Sequence, residues 1–150
     1  MREILFRGKR IDNGEFVYGY VGVFKGKTQI YVPFTEEEEK ENEGHIFSAI
    51  GGLWFTVHPE TVGQFTGLTD KNGKKIFEGD IVNTYNGTKT LKELEKISYK
   101  GISFIGVIKW NLTEARFYLE HLDGIKWHLK NDRFYEIIGN IHDNPELLED

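Results

Sequence analysis

A long aromatic alternation runs from Phe16 to Phe24, FVYGYVGVF. Read as a strand, it puts Phe16, Tyr18, Tyr20 and Phe24 on one face and Val17, Val21 and Val23 on the other. Both faces are apolar, so the pattern predicts a strand that is central in its sheet or lies against a partner chain. Gly19 and Gly22 interrupt it, and glycine inside a strand marks a bulge, a bend or the close approach of another backbone. Shorter apolar runs predict further strands at Glu3 to Arg7, Gln29 to Val32, Leu53 to Val57, Ile102 to Trp110, Arg116 to Leu122, Ile125 to Leu129 and Tyr135 to Ile141. Loop signals separate them at Asp12-Asn13-Gly14, Lys25-Gly26-Lys27, Asp123-Gly124 and Lys130 to Asp132. Short strands at this spacing predict an all-β roll or barrel.

The densest turn chemistry lies between Gly63 and Val82, GQFTGLTDKNGKKIFEGDIV. Asn72-Gly73 predicts a two-residue type I′ hairpin turn, because both central positions need positive φ. A second reversal follows at Glu78-Gly79-Asp80, and together the two deliver Ile81 and Val82 into the interior. Other stretches break the strand pattern. Thr35 to Gly44, TEEEEKENEG, has nothing apolar to bury and predicts a solvated loop, although such a block also suits a basic partner or a hard cation. Pro59-Glu60-Thr61 predicts one helical turn, and Leu91, Leu94 and Ile97 have helical spacing within an excursion from Asn83 to Gly101. Asn144-Pro145-Glu146 predicts a helix start with Asn144 as cap.

With 150 residues the chain suits one domain, or two small modules sharing a core. No Pro- or Gly/Ser-rich linker divides it, and a seam, if present, falls near His58 to Gln64. We expect a single compact unit over 1–150, with a β meander in 1–62, a barrel in 63–142 and a helical tail in 143–150. The formal net charge of −5 works against a broad phosphate-binding surface. There are no cysteines, which excludes disulfides, thiolate metal sites and cysteine nucleophiles. No stretch approaches bilayer length and the N-terminal apolar run is too brief for a signal segment, so we expect a soluble, cytoplasmic chain with no membrane partner. Asn86-Gly87-Thr88 and Asn111-Leu112-Thr113 match a glycosylation pattern that has meaning only in a secreted chain.

The segment 63–82, the closing stretch EIIGNIHDNPELLED from Glu136 to Asp150 and the opening FRGKRIDNGEFVYGY from Phe6 to Tyr20 together resemble the YopX family of phages and prophages. The resemblance implies a mainly β fold with an SH3-like barrel, and with the readings above we expect an SH3-like barrel or roll with an N-terminal β meander and minor short helices. It also implies a phage-encoded accessory protein that self-associates in the bacterial host cell, and it implies no catalytic residue.

Candidate chemistry is sparse. None of His45, His58, His121, His128 and His142 forms an i, i+4 pair, though His121 and His128 straddle a turn and could face each other. Asp70-Lys71-Asn72-Gly73 is superficially like a calcium loop, but Lys74 and Ile81 stand where ligands belong. Asp70, Glu78 and Asp80 could form a carboxylate set, yet no nucleophile with its base accompanies them, and no phosphate loop, dinucleotide fingerprint or nucleophile elbow is present. These observations lead to a non-enzymatic module without cofactor or metal, self-associating or binding a host or phage protein. Its candidate surface is Phe16, Tyr18, Tyr20, Phe24, Lys71, Lys74, Lys75, Lys126 and Trp127. The alternative, not favoured, is single-stranded nucleic-acid binding, with Lys71, Lys74 and Lys75 clustered at one turn and Lys126, Trp127, His128 and Lys130 interleaving basic with aromatic residues.

Overall fold

The computed structural model describes residues 1–44, 51–85, 103–131 and 134–149. The protein is mainly β, with its strands in two antiparallel sheets, and the chain divides into two units, Met1–Gln64 and Phe65–Asp150.

In the first unit, strands β1 (Phe6–Lys9), β2 (Phe16–Phe24), β3 (Lys27–Pro33) and β4 (Gly52–Thr56) form an antiparallel sheet in the order β4-β3-β2-β1. The first residues of β5 (Gly63–Thr69) add to β1, with Arg7 opposite Gly63 and Phe6 opposite Gln64. Of the two places expected for Phe16 to Phe24, the one inside its sheet is observed. A type I′ turn joins β2 to β3 at Lys25 and Gly26, whose φ values are 49° and 74°, while Phe24 pairs with Lys27. Ile30 and Val57 are buried beneath one face of this sheet.

The acidic stretch after β3 is not a loop throughout. Glu36–Glu41 forms a short helix, α1, opened by a capping box in which the Thr35 hydroxyl accepts from the Glu38 amide and the Glu38 carboxylate accepts from the Thr35 amide. The signal was present as Thr-x-x-Glu, and four glutamates in the first turn suit the positive end of the helix dipole. All of α1 is exposed.

In the second unit the rest of β5 pairs with β6 (Lys75–Phe77). Strands β7 (Asp80–Tyr85), β8 (Ser103–Asn111), β9 (Arg116–His121), β10 (Lys126–His128) and β11 (Tyr135–Asn140) form a sheet in the order β10-β9-β8-β7-β11. Its core gathers Ile76, Val82, Ile108, Leu119 and Tyr135, with Leu68, Trp127, Leu129 and Ile137 packed around them. Ile81 and Val82 are both 0% exposed, so β7 is covered on both faces, as the two reversals before it predicted.

Three expectations are corrected here. The SH3-like barrel expected over 63–142 does not close among the described residues: β10 and β11 are consecutive in the chain yet lie at opposite edges of an open sheet, and β10 is only three residues long. Asn72-Gly73 is not a type I′ turn, because only Gly73 has positive φ, at 80°. The loop is one residue longer. Gly73 N–H donates to Asp70 O (3.0 Å) and Asp70 N–H to Lys74 O (2.8 Å), the pattern of a three-residue hairpin loop with glycine in the left-handed position. The β9–β10 loop repeats it, with Gly124 N–H donating to His121 O and His121 N–H to Ile125 O. At the C-terminus Pro145–Leu148 is a 3-10 turn that Asn144 does not cap; its Oδ1 accepts from the Asn140 amide at 3.3 Å instead. His45, Asn86-Gly87-Thr88, the helical spacing of Leu91, Leu94 and Ile97, and Asp132 lie outside the described residues.

Candidate functional site

Antiparallel register decides which side chains share a face. On β2, Phe16, Tyr18, Tyr20 and Phe24 do, as the alternation predicted. Tyr20 stands opposite Tyr31 on β3, and Tyr31 opposite Trp54 on β4, so these three form one row across the sheet. The Tyr31 and Trp54 rings are tilted at 43° with centroids 5.1 Å apart. One step along, Gly22 faces Gln29, and its lack of a side chain leaves space for the Trp54 ring: a Cβ at Gly22 would lie 3.3 Å from the Trp54 Cζ3. Gly22, Val23, Phe24, Gln29 and Trp54 line an open groove of about 580 Å³.

This face is open to solvent. Tyr18 is 48% exposed, Tyr20 52%, Trp54 52% and Phe24 66%. Phe16 differs, being half-buried with Arg7 4.6 Å and Lys9 5.2 Å from its ring centre. Sequence reasoning found the β2 residues and missed Tyr31, Trp54 and Gln29. Alternation on β3 and β4 separately could have paired Gln29 with Tyr31 and Trp54 with Thr56, but no local signal says that these rows continue from β2.

The basic candidates lie in the second unit and carry other contacts. Lys71 Nζ is 2.7 Å from Glu136 Oε1 and 5.4 Å from the Phe134 ring centre. Lys75 sits 5.4 Å from the Phe65 ring and Lys126 5.3 Å from that of Tyr118. The Lys74 amide donates to Asp70 Oδ1, and the Lys74 side chain is exposed. Trp127 is half-buried, edge-on to Phe104 at 5.0 Å and stacked at 20° on His121 at 5.9 Å. Successive residues of a strand point to opposite faces, so Lys126 and Trp127 do not share one.

The titratable groups considered for chemistry hold backbone instead. The Asp70 carboxylate is buried and accepts from the amides of Asn72 (2.8 Å), Lys74 (2.9 Å) and Ile137 (3.3 Å), and Asp80 Oδ2 accepts from Phe77 N–H at 2.8 Å. Register places His128 opposite Tyr118, so it does not face His121. His121 Nδ1 is instead 2.6 Å from Asp123 Oδ1. Among the described residues no three His, Asp or Glu side chains converge to hold a metal ion.

Asp123 is held below the usual carboxylate range, first by the hydrogen bond it accepts from Ile125 N–H (3.0 Å) and next by His121. A depressed carboxylate stabilises the fold above its unfolded pKa, and that contribution is lost as pH falls through the folded value. In an NMR titration the Ile125 amide shift should therefore follow a midpoint below that of an ordinary aspartate, and Asp123→Asn should abolish the transition. A midpoint at or above the ordinary value would contradict this account.

The fold and the face together define a mainly β protein of two antiparallel units, one of which exposes an aromatic sheet surface. The chain matches the YopX protein family over residues 5–149, nearly its whole length, and belongs to that family. The crystal structure of protein EF1440 from Enterococcus faecalis is similar, at 24% identity, with 99% of this chain and 100% of that chain covered and a TM-score of 0.49. None of the curated proteins matches the chain. Among the described residues, no helix is long and apolar enough to cross a membrane.

Proposed function

We propose that this chain is a non-enzymatic accessory protein of phage or prophage origin, acting in the bacterial cytoplasm by protein–protein contact through the aromatic face of its first unit. One observation carries the reading: Tyr18, Tyr20, Phe24 and Trp54 are gathered on one sheet face and all remain open to solvent. Exposed Tyr and Trp in a cluster are the residues that dominate protein interfaces, because they desolvate a large area with few rotamers to fix. The second unit, an open SH3-like roll in this reading, serves as scaffold. The contacts made by Lys71, Lys75, Lys126 and Trp127 favour this reading over single-strand nucleic-acid binding, since a stacking platform needs an open ring and a backbone groove needs uncommitted cations.

A photo-crosslinking residue in place of Phe24, irradiated in bacteria expressing the protein, should yield adducts with the mass of a protein chain. The same residue in place of Leu112, which is 88% exposed in the second unit, should not. Adducts to nucleic acid at position 24 would favour the alternative, and no adduct at position 24 would remove the proposal.

A further inference from the structure

Charge sets the aromatic face of the first unit apart from the rest of the chain. Strands β1 to β4 contain no Asp or Glu, although the chain holds 24 of them. Register puts Arg7, Lys9 and Lys27 on the same face as Tyr20 and Trp54, and Lys25 lies in the turn beside them. The face is therefore cationic on a protein of formal net charge −5. Its four cations are not equivalent. Arg7 is buried and, with Lys9, packs on the Phe16 ring at the far end of β2. Lys25 and Lys27 are exposed, and among the described residues no carboxylate pairs with either.

Those two lysines stand at one end of the groove. Phe24 on β2 is directly opposite Lys27, and Lys25 Nζ is 5.6 Å from the Phe24 ring centre. The Trp54 ring reaches across β3 to Gly22, so the groove runs between an indole and a phenyl ring, over a residue with no side chain to fill it. Gln29 Nε2 donates to Thr56 Oγ1 at 3.3 Å, which leaves its Oε1 as an acceptor. A groove of this composition takes an apolar side chain between the two rings, a backbone N–H on Gln29 and a carboxylate on the lysines. Resting on the reading that this face binds protein, we infer that its occupant is an extended acidic segment of a partner protein, in which an apolar anchor is followed by Asp or Glu. In an extended chain, residues two apart point the same way about 7 Å from each other. That step is comparable with the 5.6 Å from the Phe24 ring to Lys25, so the carboxylate belongs two residues from the anchor. A nucleic-acid strand shares the charge but needs cations along its whole track, and here the other two are packed on Phe16.

The experiment is a selection from a library of random linear peptides on the purified chain, followed by fluorescence anisotropy with one labelled peptide of the enriched sequence. Enriched peptides should carry an apolar residue with Asp or Glu two positions away. Raised salt should weaken the labelled peptide, and replacing its carboxylate by the amide should cost at least about tenfold in affinity. Lys25→Asp with Lys27→Glu should weaken it by a similar factor and favour the same peptide with Lys in place of the acid; Asp suits the positive φ at position 25. Trp54→Ala should weaken both peptides, and circular dichroism verifies that each variant is folded. Enrichment without a carboxylate overturns the inference, as does a charge-reversed chain that keeps its preference for the acidic peptide or binding indifferent to Trp54→Ala. So does retention of oligothymidylate, with the same dependence on Trp54 and Lys27, by a chain that retains no peptide, which assigns the groove to nucleic acid. The broader reading is tested separately, because protein adducts at position 24 in cells support it whatever the composition of the partner's segment.

Discussion

Asp70→Ala should destabilise the second unit by about 3 kcal/mol, the upper part of the range for removing a buried charged acceptor that serves three amides. The carboxylate has a double role. Oδ1 accepts from Asn72 and Lys74 and closes the β5–β6 loop, while Oδ2 reaches Ile137 on β11, 67 residues away in sequence. Lys71 N–H, donating to Tyr135 O at 2.9 Å, adds a second link between the same loop and strand. Alanine leaves all three amides without this acceptor, whereas asparagine keeps one carbonyl oxygen and should cost about 1 kcal/mol. Hydrogen exchange would show the loss at Lys74 and Ile137 together. Fast exchange at Lys74 with Ile137 unchanged would mean that Asp70 serves only its own loop.

Gly19→Ala should cost the first unit about 3 kcal/mol, at the top of the usual range for overpacking. A Cβ at Gly19 would lie 1.9 Å from Tyr31 O and 3.2 Å from Ile30 Cγ2. The obstacle is the backbone of the neighbouring strand, which cannot swing aside as a side chain can, so β2 and β3 must part. Gly22→Ala provides the contrast. Its added methyl meets only the outer edge of the Trp54 ring, at 3.3 and 3.4 Å, and the ring can turn away. Stability should change little there while the groove is reshaped. Chemical denaturation of both variants, with hydrogen exchange at Ile30, would separate the two cases, and equal stability of the two would refute the close approach.

These two glycines show how far a sequence can be read. Their interruption of β2 is visible in the chain, and of the bulge, bend or backbone approach it allows, the last holds at Gly19. Which of them meets backbone and which meets an indole depends on how β3 and β4 are registered. The turns make the same point. Lys25-Gly26 and Asn72-Gly73 both announce hairpins, yet the type I′ geometry belongs to the former. The latter is drawn into a longer loop by Asp70, whose carboxylate competes for the amides within it. The capping box of Thr35 and Glu38 was legible in principle and was outweighed by the absence of any apolar residue to bury.

By itself the sequence determined the succession of short strands, the burial of Ile81 and Val82, and the shared face of Tyr18, Tyr20 and Phe24, and it narrowed Phe16–Phe24 to a central place in its sheet or one against a partner chain. All of these follow from local alternation and turn residues, which act over a few positions. Only the tertiary structure decided that the sheet of the second unit stays open among the described residues and that Asp70 ties its loop to β11. It alone joined Tyr31 and Trp54 to the β2 aromatics as an exposed row. Those outcomes rest on pairings between residues far apart in the chain, and no local pattern specifies a register across such distances.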